Sequence, residues 1–141
     1  MSEPQTDKVE RGEGWSAANL ADLGEGPGFR KIRGALGVTA FGINGIVMPP
    51  GHDGFLHFHD TQDELYFVHR GRVEVVVEGE TRVLGEGGLF HVSSTTPRKV
   101  SNPFDEDAVL LAMGGKDGYV ERDGHMVDDA DIARRAGFGK S

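Results

Sequence analysis

The sequence has 141 residues, enough for one domain, with 22 glycines, no cysteine and a formal net charge of −8. An acidic chain repels phosphate backbones and anionic membranes, so nucleic acid and membrane surfaces are excluded as expected partners. Without cysteine there are no disulfides, thiolate nucleophiles or thiolate metal ligands.

Residues 1–14 are polar and acidic, with nothing resembling a signal peptide, and are expected to be disordered or loosely packed. The expected address is therefore cytoplasmic. Trp15 and Leu20 are the first residues able to anchor the chain, on this subunit or another. Residues 15–141 are expected to form one domain. Strands are predicted over residues 29–36 and 38–48, followed by the break at Pro49, Pro50 and Gly51. Residues 55–59 and 64–69 predict two short strands forming a hairpin. Beyond Gly71, Val73, Val75 and Val77 share one strand face. Gly79 turns the chain into 81–84, and 89–93, 98–101 and 108–113 complete the set. Short strands at this even spacing predict an all-β sandwich or barrel. Residues 127–136 place acids before Ile132 and bases after it, which predicts a short C-terminal helix ended by Gly137.

Four of the six histidines, His52, His57, His59 and His69, fall within one stretch of the chain. On a strand, His57 and His59 point to the same face, and a hairpin returns Glu64 beside them. Two imidazoles and a carboxylate suit one divalent transition metal: Fe, Mn, Ni, Co or Zn. The plainer alternative is two surface histidines on an outward face, and Glu64 at hairpin distance weighs against it. Tyr66 and Val68 share the face of Glu64, and Tyr66 either bonds a ligand or fills the core. Phe55 shares the face of His57 and would line the pocket wall.

The run Gly51, five residues, His57, one, His59, four, Glu64, six, Gly71 resembles the first motif of the cupin family at every defining position. A second motif is partly matched: Gly87 and Asn102 fit, Ser93 replaces the usual proline, Thr95 a glycine and Arg98 a metal-ligating histidine. The resemblance covers about residues 38–113. It implies a double-stranded β-helix (a jelly-roll barrel), usually homodimeric, with the metal near its wider mouth.

Arginine stays protonated and does not bind metal, so two readings of Arg98 follow. In one, His57, His59 and Glu64 hold the metal with open positions, and Arg98 grips a substrate carboxylate. In the other, Arg98 pairs with Glu64, and the pocket binds a ligand without chemistry. His91 could replace the missing ligand, although Phe90 and Val92 form the more apolar face of its strand and should point inward. His52 could approach the mouth but reads more simply as a solvated loop residue. His69 should point outward, and His125 should be solvated. The function expected is metal-dependent chemistry on a small anionic or oxygenated organic molecule, by dioxygenation or by Lewis-acid isomerisation or decarboxylation. The alternative is a non-catalytic binding or sensing barrel.

Overall fold

A computed structural model describes residues 8–127. Residues 128–136 of the predicted C-terminal helix and residues 1–7 of the predicted tail lie outside the described residues. Among the described residues, twelve strands run in the order β1 (Glu10–Gly12), β2 (Trp15–Ala17), β3 (Gly28–Arg30), β4 (Gly42–Met48), β5 (His57–His59), β6 (Asp63–Arg70), β7 (Val73–Val77), β8 (Glu80–Leu84), β9 (Leu89–Val92), β10 (Arg98–Ser101), β11 (Ala108–Gly115) and β12 (Gly124–Met126). A 3-10 turn, Leu20–Asp22, and one short helix, α1 (Ile32–Leu36), interrupt them.

Two five-stranded antiparallel sheets form the body. One has the order β12-β5-β10-β7-β8 and the other β3-β4-β11-β6-β9. Strand periodicity explains the packing. Val73 and Val75 in β7, Tyr66 and Val68 in β6, and Ala108 and Leu110 in β11 alternate with less buried neighbours. They meet Met48, Val92 and Val100 in one core that draws on both sheets. Burial of each such large side chain contributes roughly 1.5–3 kcal/mol. This is the all-β barrel of the expected class.

Two predicted elements differ, and one strand was not predicted. Residues 29–36 are not one strand, because the chain leaves β3 after Arg30 and turns into α1, which Gly37 ends with a φ of 72°. Residues 10–12 are not loose: they pair with Trp15–Ala17, and Arg11 donates to the Ala35 carbonyl at 2.7 Å. β12 was not anticipated, since Gly124–Met126 has no apolar alternation to announce it.

The end of the barrel near residue 51 is fixed by Asn102, which is fully buried. Its Nδ2 donates to the carbonyls of Met48 (2.9 Å) and Glu106 (2.8 Å), and its Oδ1 accepts from the Phe104 N–H at 3.0 Å. Its backbone bridges His52. Asn102→Ala removes a buried donor from the Met48 carbonyl and two part-buried bonds, to the Glu106 carbonyl and from the Phe104 N–H. It should cost about 2–3 kcal/mol, read as a lower urea midpoint at unchanged slope. Gly71 closes the first motif for a steric reason. Its φ is 74°, and a Cβ there would lie 2.5 Å from the Asp107 carbonyl oxygen.

Candidate metal centre

His57 and His59 reach the site from β5, and Glu64 from β6, but these strands are not a hairpin. β5 pairs with β10 and β12, whereas β6 pairs with β11 and β9. Residues 60–62 carry the chain from one sheet to the other. The carboxylate thus faces the imidazoles across the barrel interior. The predicted proximity holds, and its predicted cause is corrected.

The three ligand atoms lie within 4.8 Å of one another. His59 Nε2 is 3.3 Å from Glu64 Oε2, and His57 Nε2 is 3.9 Å from Glu64 Oε1. Each imidazole is oriented by its other nitrogen. His57 Nδ1 donates to the Phe55 carbonyl at 2.9 Å, and His59 Nδ1 to Asp123 Oδ1 at 2.8 Å. Those bonds put the proton on Nδ1, so in the neutral ring the Nε2 lone pair faces Glu64. His59 Nε2 is buried and has no hydrogen-bond partner. Ligands about 2.1 Å from one metal and at right angles lie about 3 Å apart, close to the 3.3 Å seen here. A divalent transition metal therefore fits these residues.

Arg98 differs from the substrate-gripping expectation. It is a cross-strand neighbour of His57 and is fully buried, with no surface on the cavity. Nη2 donates to Glu64 Oε1 at 2.8 Å, and Nη1 to the carbonyls of Ser94 and Thr96, both at 2.9 Å. The arginine at the missing ligand's place thus holds one carboxylate oxygen and leaves Oε2 toward the imidazoles. Tyr66 is also buried and donates to Glu64 Oε1.

Burial raises the cost of the Glu64 charge, but its contacts with His57 and His59 and the hydrogen bond from Tyr66 outweigh it, so its pKa lies well below the usual carboxylate range. Burial lowers the pKa of His59, and its contact with Glu64 more than reverses this. Burial and then the Glu64 charge push the Tyr66 phenol up, so it remains a donor.

Asp123 escaped sequence reasoning. It lies in a polar stretch sixty-four residues from His59, without a motif. It also accepts from the Thr61 N–H (2.7 Å), the Gln62 N–H (3.0 Å) and Gln62 Nε2 (2.8 Å), pinning the sheet-to-sheet crossing. Burial opposes its charge, but the donors from Gln62, Thr61 and His59 hold it well below the carboxylate range. Asp123→Asn keeps the shape but removes the charge behind His59. Metal affinity should fall about 10- to 100-fold in a competitive chelator titration.

Above the triad lies a cavity of about 350 Å³. Phe55 and Tyr66 line it, with Ile46, Met48 and Leu110 among its apolar walls. His52 also lines it, half-buried, rather than standing free in a loop. His91 is exposed on the outer face of β9, opposite Phe90 and Val92, away from the triad. His69 is exposed as expected. His125 is exposed too, but it stacks on Phe58 and contacts Asp60 at 2.8 Å.

The family model described as "Cupin domain" matches residues 46–114. Comparison with curated protein sequences finds no match. Among solved structures, the DMSP lyase DddQ of Ruegeria pomeroyi DSS-3 is similar, with 25% identity and a TM-score of 0.55 over 62% of this chain. The match spans 43% of that lyase. A cupin protein from Bacteroides fragilis is 20% identical over 77% of this chain and 90% of its own, with a TM-score of 0.64. A sugar phosphate isomerase from a cupin superfamily, from Silicibacter pomeroyi DSS-3, is 21% identical over 74% and 60%, with a TM-score of 0.59.

Proposed function

Because this chain is a small cupin-type barrel protein, we propose that its cavity holds one divalent metal and transforms a small, oxygenated organic anion. The observation that carries this reading is the buried, partnerless Nε2 of His59 facing Glu64 Oε2. An acceptor so placed costs stability unless a cation or a proton occupies it.

His57 Nε2, His59 Nε2 and Glu64 Oε2 would hold the ion. A bound divalent metal supplies a Lewis acid that polarises a ligand oxygen. Phe55, through its carbonyl, and Asp123 fix the rings. Arg98 and Tyr66 both draw on Glu64 Oε1, which offsets the carboxylate charge and favours an electrophilic centre. The apolar walls exclude water from the bound molecule. This favours isomerisation, decarboxylation or a related lyase reaction over dioxygenation. The resemblance to a DMSP lyase supports the same choice.

The second reading, a binding barrel without chemistry, is favoured by one observation, the Arg98–Glu64 pair itself. Metal content by mass spectrometry, followed by turnover assays on small hydroxy and keto acids with and without oxygen, decides between them. The proposal expects about one metal per chain and turnover that consumes no oxygen. Oxygen uptake dependent on Fe(II) would move the chemistry to dioxygenation, and a metal-free protein would leave the binding barrel. We also propose a cytoplasmic homodimer, for which exposed Trp15, Phe29 and Phe41 offer apolar surface.

A further inference from the structure

The net charge of this chain is −8, yet arginines match acids one for one in the lining of its cavity. Its lining includes two acids, Glu64 and Asp123, and two arginines, Arg33 and Arg122. Both acids are engaged internally. Glu64 is bonded to Arg98 and Tyr66 and faces the imidazoles, and Asp123 is bonded to His59, Thr61 and Gln62.

Neither lining arginine has an acidic partner among the described residues. Arg33 belongs to α1, the helix that interrupts the predicted strand. Its guanidinium lies 3.7 Å from the centre of the Tyr119 ring, and Nη1 donates to the Val38 carbonyl at 3.2 Å. Those contacts hold the charge in place while using one of its five N–H donors. Arg122 is exposed and sits one residue before Asp123, whose bonds tie this segment to the crossing loop. With both lining acids bonded elsewhere, two cations without an acidic partner supply positive charge on a wall that also carries apolar side chains such as Ile46, Met48 and Leu110.

We propose that Arg33 and Arg122, not Arg98, form the anion-recognition subsite of this cavity, and that its ligand is a small organic carboxylate. The apolar walls accept a short carbon body, and the planar guanidinium forks match a carboxylate. The subsite rests on the cavity being the metal-dependent site proposed above, and it names the substrate class of that site. The helix α1 then acquires a purpose: it carries Arg33 to the cavity wall, where a continued strand would not.

Titrating the 15N-labelled full chain with butyrate and with neutral butyramide tests the assignment by NMR. Both the chelator-treated protein and the protein with Zn(II) added are titrated. The expected result is saturable butyrate binding, with butyramide binding much more weakly. Arg33→Gln and Arg122→Gln should each weaken butyrate about tenfold or more. Arg33→Lys, which keeps the charge, should restore part of the loss and guards against a folding defect in Arg33→Gln. Inorganic phosphate is the second probe. Phosphate binding that matches or exceeds butyrate would overturn the carboxylate class. Butyrate binding indifferent to both glutamine variants, or absent altogether, would overturn the subsite. Metal binding is read separately in the same samples. Arginine-dependent butyrate binding without any metal uptake would sink the metal reading and leave the subsite standing. Metal uptake with arginine-independent butyrate binding would do the reverse.

Discussion

Arg98→Met should destabilise the barrel by about 3–5 kcal/mol, the largest effect expected of any single substitution outside the core. The guanidinium is fully buried between Glu64 and the carbonyls of Ser94 and Thr96. Methionine fills much of the same volume but donates nothing. Glu64 would keep its charge in the interior with Tyr66 as its remaining neutral donor, and two carbonyls would lose their partner. Urea unfolding should show the loss. The double variant Arg98→Met/Glu64→Met removes the stranded charge along with its partner. It should recover at least half of the loss, because an apolar pair replaces a buried ion pair at little net cost. A single variant within 1 kcal/mol of the wild type would mean that the pair does not organise the interior.

His59→Ala should abolish metal binding, lowering the bound divalent ion from about one per chain to below about a tenth. Three protein ligands leave no redundancy, and the partnerless Nε2 of His59 is the donor closest to Glu64 Oε2. His57→Ala should act in the same direction. Its Nε2 lies 3.9 Å from the carboxylate, and its ring is held by a backbone carbonyl, not by a charge. Glu64→Gln should lose the metal and also strand Arg98, so it should be less stable than either histidine variant. Added Zn(II) or Co(II) should raise the melting temperature of the wild type and leave His59→Ala unmoved. An equal rise in both would place the ion elsewhere.

The strands of the barrel were largely legible, because β7 alternates in the period that strands impose, β11 is a short apolar run, and glycines and prolines punctuate the segments between. The triad was legible for a different reason. The spacing of His57 and His59 fixes a shared face whatever lies opposite, so the residues could be named while the wrong partner strand was assumed. Sheet assignment was not legible, since nothing in residues 60–62 distinguishes a hairpin turn from a crossing between sheets. The direction of Arg98 was not legible either. Its place on β10 follows from the pattern, but its burial depends on Ser94 and Thr96 turning their carbonyls inward. Asp123 and Arg122 were invisible because a polar segment late in the chain is brought to the site by long-range contacts, the pairing of β12 with β5 and the bonds of Asp123 to residues 59–62. The helix carrying Arg33 was hidden under a run that reads equally well as a strand.

Co(II) titration of the chelator-treated wild type, followed by its visible spectrum and by equilibrium dialysis, tests the metal centre most directly. The account predicts saturation at one ion per chain with low-micromolar affinity or tighter, and a competing Zn(II) ion that displaces it. A wild type that takes up no Co(II) in that range, while Arg98→His gains a site, would contradict it. The Arg98–Glu64 pair would then be the whole content of the triad, and the protein a barrel that binds its ligand without a metal.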